Sequence, residues 1–425
     1  MNFARIHAGN FAVILYFCLA LSGCSYNDIR SLSTESAIKP AVEVPVSPIG
    51  VEAGEPAIAA DENGNIYVAY VEHGADKTAD LYLQKYNNTG AAGNRVRINP
   101  DAGSVKAWRG DQPTLQISGK ENVYIGWNLR SRDPKEDGND LMLSVSTDGG
   151  KSFAPPLKVN DDTAAASHGM HGMSMSDSAD RAGYFAWLDE RGVKNDPKEK
   201  MKTAHPAAKH EHLEPNAEIY FSSLSDNGKV AGQNKKIAGE ICPCCKVSVI
   251  KAGDGRTYIS WRQVLSGELR HIAVTSTSDN GQTFAEPAIV SDDKWQLNAC
   301  PVSGAPLAMG SDGTLRVAWY TAGDAGAEGL YWASSADQGK TFSPRMLVSE
   351  GVVFGTPVLV SNRVIWTGNG KIMAKKLSAK QESSAPQEIA YGELPSAAAA
   401  GGFIYLAYVK DANGKKAIYF QKIAD

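Results

Sequence analysis

Thiols, thioethers and imidazoles gather in three short segments of this 425-residue chain. The first is Ser167-His168-Gly169-Met170-His171-Gly172-Met173-Ser174-Met175. The second is Cys242-Pro243-Cys244-Cys245, and the third is Cys300-Pro301-Val302-Ser303-Gly304. Thiolate, thioether and imidazole donors together suit a soft or borderline ion, copper(I) above all, or zinc. The candidate ligands are therefore His168, Met170, His171, Cys242, Cys244, Cys245 and Cys300. The cysteines fit a second chemistry equally well, one or two structural disulfides such as Cys242 or Cys245 to Cys300. Cys244 and Cys245 are adjacent and do not readily bridge each other, which leaves at least one thiol to account for. For His168 and His171 the ordinary alternative is a hydrogen-bonded lining. For Met170, Met173 and Met175 it is core packing. His205, His210 and His212 sit in a long charged insertion at 190–217 and read as a solvated loop.

The elements that must position these residues are legible as a repeat. A turn with Gly or Asn is followed by an apolar strand ending in an aromatic. The copies are Ile66–Tyr70, Val123–Trp127, Tyr184–Trp187, Tyr258–Trp261, Leu315–Trp319, Arg363–Trp366 and Ile404–Tyr408. They recur roughly every 40–75 residues, the size of a four-stranded propeller blade with insertions. β-branched and aromatic residues dominate each copy, as strands require.

A second pattern follows three of the copies in phase. It reads Ser146-Thr147-Asp148-Gly149-Gly150-Lys151-Ser152-Phe153, then Thr277 to Phe284, then Ser335 to Phe342. Ser225-Asp226-Asn227-Gly228 is a decayed copy. The pattern resembles the Asp box, or BNR repeat, of sialidases and their relatives. In it Asp148, Asp279 and Asp337 would accept backbone N–H bonds. Gly150, Gly281 and Gly339 would supply positive φ, and Phe153, Phe284 and Phe342 would tuck between sheets. The expected fold is all-β, a β-propeller of four-stranded blades, seven in number with six as the alternative. Blades begin near 55, 112, 168, 243, 300, 355 and 395. The last lacks an outer strand, which the segment before residue 55 is placed to supply.

Blade topology sorts the loops onto two faces. Asp boxes and short A–B turns share one face. The irregular B–C loops and the segments leading into each inner strand share the other, which is where binding usually resides. The His168, Cys242 and Cys300 segments lead into three consecutive blades, so ring closure should bring them to one axial mouth.

The chain is similar to a narrower group of bacterial BNR-repeat proteins described as sialidase-like. The shared elements are His168-Gly169, Trp187-Leu188-Asp189-Glu190-Arg191, Cys242 to Cys245, Trp261-Arg262, Arg270, and Trp295 with Cys300-Pro301. The resemblance spans roughly residues 55–350. It implies the fold firmly and activity poorly. Val302-Ser303 stand where the group carries a His pair, which removes one implied ligand. If the chain hydrolysed sialosides, three arginines would clamp the substrate carboxylate, a Glu-activated Tyr would attack, and an Asp would move protons. Arg109, Arg191, Arg262 and Arg270, Asp189 or Glu190, and Tyr320 are the candidates. The Arg-Ile-Pro motif that supplies the first sialidase arginine is absent. Its nearest string, Arg97-Ile98-Asn99-Pro100, is interrupted. A local salt bridge is the simpler role for Asp189 and Arg191, and loop pinning for Arg262 and Arg270.

The N-terminus reads as a lipoprotein signal over 1–23. An apolar run from Phe11 to Ala20 ends in Leu21-Ser22-Gly23-Cys24, which resembles a lipobox. Cys24 would then carry the acyl chains that hold the protein to a membrane, and Ser25 favours the outer one. Residues 24–50 read as the lipidated Cys and a tether, and 51–425 as a single propeller in the cell envelope. Net charge is −4 and no basic stripe is present, which excludes nucleic acid as the expected partner. The expected partners are the membrane and a glycan or protein ligand at the axial face, with the chain a monomer.

Overall fold

The computed structural model describes residues 42–425 except 88, 109, 120, 132–137, 164–165, 177–182, 194–216, 226–227, 298 and 379–384. The signal segment, Cys24, Arg109, the histidines of the insertion and the decayed Asp226-Asn227 turn lie outside the described residues.

Five four-stranded antiparallel sheets and one nine-stranded sheet make up the fold. The nine-stranded sheet holds two successive repeats, joined between Ile241 and Gln263. The inner strands of the successive repeats are Ala53–Ala60, Thr114–Ser118, His168–Met175, Ser248–Lys251, Leu307–Met309, Phe354–Val360 and Glu393–Ala400. Each packs against the next in chain order, and Glu393–Ala400 packs against Ala53–Ala60. The circle is closed, and the protein is an all-β propeller.

Closure uses both ends of the folded body. Val44–Pro45 pairs with the final strand, Lys415–Ala424, in the same sheet as Phe403–Ala412 and Glu393–Ala400. Glu43 accepts from Tyr408 and Lys410, and Val46 is buried beside them. The last sheet therefore gains its outer strand from upstream, which covers an otherwise free edge. The fold begins by Glu43, inside the span expected to be tether.

Second strands such as Ile66–His73 and Asn122–Arg130 are buried almost throughout. A sheet with neighbours on both faces has no solvent side, so its central strands are apolar runs instead of alternating ones. The inner strands are interrupted at a repeated place. Register slips between Gly54 and Ala57, Gly169 and Gly172, Phe354 and Val358, and Glu393 and Ser396. Within these slips Glu55, Met170 and Leu394 take positive φ, at 51°, 52° and 54°. Such bulges bend a strand and re-aim its side chains.

The Asp148, Asp279 and Asp337 turns are near copies of one another. Asp148 accepts from Lys151 N, Ser152 N and the Ser152 hydroxyl; Asp279 and Asp337 accept from the backbone and hydroxyl of Thr283 and Thr341. Gly150, Gly281 and Gly339 have φ of 82–83° and sit against Leu83, Phe221 and Tyr258 of the preceding repeat. Phe153, Phe284 and Phe342 pack into the clusters between sheets. The Asp148 turn also binds the A–B turn of its own sheet, Gly149 N to Glu121 O.

Candidate metal centre

The third repeat's outer strand, Lys235–Ile241, runs straight into Cys242. Pro243 cannot donate to a ladder, and its fixed φ ends the strand there. The chain turns, and Cys244 and Cys245 come back over Cys242. The Cys242 Sγ lies 3.6 Å from Cys244 Sγ and 3.5 Å from Cys245 Sγ, with all three sulfurs within 4.8 Å of one another. All three are buried. Cys300, on the lead-in to the next repeat, is half-buried, packs on the same cluster and interacts with Cys242 and Cys244. None of the four is joined in a disulfide. A disulfide would need sulfurs about 2.05 Å apart. A tetrahedral ion with sulfur ligands at about 2.3 Å holds them about 3.8 Å apart. The observed separations match the second spacing. Hydrogen bonds from Cys244 and Cys245 lower the Cys242 pKa. Burial, then the neighbouring Cys242, pushes the Cys245 thiol up to about 12.

Beside the thiols lies Arg262, fully buried. Its backbone carbonyl accepts from Cys242 N, and its guanidinium donates to Ser303 O and Tyr320 O. It also lies over the Trp295 ring at 5.0 Å. No carboxylate lies within ion-pair distance of it among the described residues. A buried cation without a counter-charge costs several kcal/mol. Among the described residues three ionisable groups feel the guanidinium: Cys242, Cys245 and Tyr320, the last with its pKa raised by burial and by Glu328.

His168 and His171 do not join this cluster. The grouping of candidate ligands among the described residues contains Cys242, Cys244 and Cys245 alone. The His168 Nδ1 lies 2.6 Å from Asn139 O, and its Nε2 faces Asp162 at 3.0 Å and Asp189 at 3.5 Å. His171 faces Asp111 at 3.4 Å, and Lys246 reaches the same carboxylate oxygen at 3.6 Å. Burial alone would raise the Asp111 pKa, but His171 and Lys246 outweigh it and hold the group below the usual carboxylate range. Both imidazoles meet groups of the second repeat, His168 just before the bulge at Gly169–Gly172 and His171 within it. Met170 differs. It packs in the same buried cluster as the three thiols, and its carbonyl accepts from Val247 N.

Both arms lie close to the axis. A cavity of about 230 Å³ runs there, lined by Pro56, Pro113, Gly172, Lys246, Pro306, Pro357 and Pro395 among others, with every repeat contributing. Lys246 follows Cys245 directly, so the thiol turn ends at the cavity wall. A side-chain carbon on Gly172 would stand 2.7 Å from Val247 O, so only glycine lets the third and fourth repeats approach this closely. Gly110 abuts both the Trp108 ring and Val302. The loop before the second repeat thus reaches across the mouth to the fifth.

The arginine candidates are already engaged. Arg191 binds Asp189, Asp161 and Asp162 and lies over Tyr220. Asp189 also accepts from Trp187 Nε1. Arg270 pairs with Glu268 and donates to Leu297 O. Glu190 follows the strand, its N–H bonded to Ser167 O. Tyr320 donates its hydroxyl to Glu328, and burial followed by that carboxylate raises its pKa. The Asp189–Arg191 bridge and the pinned Arg270 follow the simpler expectation. No open arginine clamp forms among the described residues.

Solved β-propeller structures match nearly the whole chain. A protein of unknown function from Dyadobacter fermentans is 16% identical over 92% of this chain and 99% of its own, with a TM-score of 0.52. A polysaccharide lyase described as an ulvan lyase is 11% identical over 90% and 96%, with a TM-score of 0.54. A Hadza microbial sialidase is 12% identical over 91% and 96%, at 0.47. Identities this low speak to fold alone. Neither a protein-family model nor a curated protein matches the chain.

Sequence reasoning missed Asp111, Asp162, Asn139 and Lys246. Lys246 had a usable signal, its place beside Cys245. Asp162 and Asn139 had none, since their shared partner, His168, lies 6 and 29 residues away and neither residue belongs to a motif.

Proposed function

We propose that this protein is a lipid-anchored, seven-bladed, Asp-box-type propeller of the cell envelope that holds one soft metal ion at its axial mouth. The ligands in this reading are Cys242, Cys244, Cys245 and Cys300, with Met170 packed nearby. The ion is copper(I) first and zinc second, because a thioether shares the cluster. One observation carries the reading: three buried, unbridged thiols stand at ion-like spacing beside a buried guanidinium that no carboxylate balances. Thiolates bound to a cation supply the missing negative charge and satisfy the sulfurs at once. The test is metal content by mass spectrometry after exposing reduced, purified protein to copper(I) or zinc. One tightly held ion per chain is expected, and none in a Cys242→Ser, Cys245→Ser variant. Parent protein that takes up neither ion would sink the proposal.

A second reading, glycan hydrolysis of the sialidase type, draws on the Tyr320–Glu328 hydrogen bond beside Arg262. Against it stand the engaged arginines and the raised Tyr320 pKa, which makes a weak nucleophile. Release of chromophore from a sialoside reporter, lost in Tyr320→Phe, is the result that would favour it.

A further inference from the structure

We propose that the metal centre is a transfer site, with Cys300 the displaceable ligand that yields the ion to a thiolate acceptor at the mouth. This rests on the metal reading above and adds a direction of exchange to it.

The ligand set is asymmetric. Cys242, Cys244 and Cys245 share one turn of one repeat and are buried. Cys300 arrives from the next repeat on a segment without strand structure and is half-buried. Its downstream neighbours are fastened. Ser303 O accepts from Arg262, and Gly304 N donates to Thr356 Oγ1. Between that anchor and Cys300 lies Val302, a β-branched residue held at φ 49°. That conformation is strained for valine, and strain of this kind clusters at active sites, ligand clamps and switch regions. The outer side of the segment meets Gly110 and lies beside Trp108, which is 46% exposed.

Charge points the same way. Three thiolates around copper(I) carry two net negative charges, and Arg262 offsets one. A fourth thiolate would add a further charge to a poorly solvated site beside that single guanidinium. Cys300 is therefore the ligand held least firmly, and it is also the one that solvent and an acceptor can reach. In the exchange an acceptor thiol gives up its proton and its sulfur bonds the ion. The Cys300–metal bond breaks and the freed thiolate takes up a proton, and further acceptor thiols displace Cys242, Cys244 and Cys245 by the same exchange of proton for metal. No electron changes hands.

The experiment uses the full chain loaded with copper(I) under reductant. Transfer to a chromogenic copper(I) chelator is followed by stopped flow. Parent and Cys300→Ser should each hold one ion, with the variant releasing it about 10–100-fold faster, the usual scale for losing one supporting group at a metal. Cys242→Ser should hold none. In parallel, iodoacetamide is applied to loaded parent protein and the modified sites are mapped by mass spectrometry. Cys300 should be alkylated first while the other three are protected. The inference is overturned if Cys300→Ser loses the ion as fully as Cys242→Ser, if it releases at the parental rate, or if all four cysteines are alkylated together. A parent protein that binds no ion would instead defeat the metal reading itself, a different and separately visible result.

Discussion

Two regions on neighbouring repeats answer burial in opposite ways. In the third repeat, Arg191, His168, Asp162 and Asp189 form a network in which every charge faces an opposite one. In the fourth, Arg262 is more deeply buried than Arg191 and has carbonyls, an aromatic face and thiols around it. The first region is complete without a ligand. The second becomes electrically complete when thiols ionise, and thiolates packed together call for a cation. The contrast separates scaffold from site more reliably than residue type does, because His168, a candidate ligand by type, belongs to the completed network.

The widest break in that comparison comes from the thiols. Cys242→Ser with Cys245→Ser should abolish ion binding, and with it the rise in melting temperature that copper(I) or zinc gives the parent. An ion at a thousand times its dissociation constant stabilises a fold by about 4 kcal/mol. Calorimetry with and without metal reads this directly; an unchanged gain would show that the ion binds elsewhere. Next in size is Asp189→Ala, which takes one of three carboxylates from Arg191 and leaves Trp187 Nε1 without its acceptor. Leaving a buried donor unsatisfied costs roughly 1–3 kcal/mol, and more where charges are involved. Denaturant unfolding should show that loss while metal stoichiometry stays at the parental value. Were the ion lost as well, the two regions would be one unit. Gly172→Ala should cost about 1–3 kcal/mol by forcing the third and fourth repeats apart at Val247, again read by unfolding.

The smallest effect lies on the opposite face. Asp312 and Asp337 are held down to about 2, chiefly by hydrogen bonds from Thr314 and Thr341. A depressed carboxylate contributes stability above its unfolded pKa, near 3.9, and loses it as pH falls through the folded value. Stability should therefore decline between about pH 4 and pH 2. Asp337→Ala should show a shallower decline there. Both groups are exposed, so salt should blunt the effect.

The propeller was readable in the chain because each repeat announces itself locally. An aromatic-ended strand and an Asp–Gly turn need only a few contiguous residues, and the same turn recurs at Asp148, Asp279 and Asp337. The clustering of Cys242, Cys244 and Cys245 was local too, since one proline-broken turn sets it. The destination of His168 and His171 was not. Partners from the second repeat and a bulge at Gly169–Gly172 decide it, and neither leaves a mark in alternating hydrophobicity.

Residue order alone determined the strands, the turns and the presence of soft donors, because those follow from side-chain type and short-range backbone geometry. Tertiary structure decided which charges found partners. Pairing across repeats depends on ring closure, and closure brings Asp111 to Lys246 and Arg262 to Ser303 across 135 and 41 positions of chain. It leaves Arg262 facing thiols instead of a carboxylate, and on that uneven outcome the chemistry of the mouth depends.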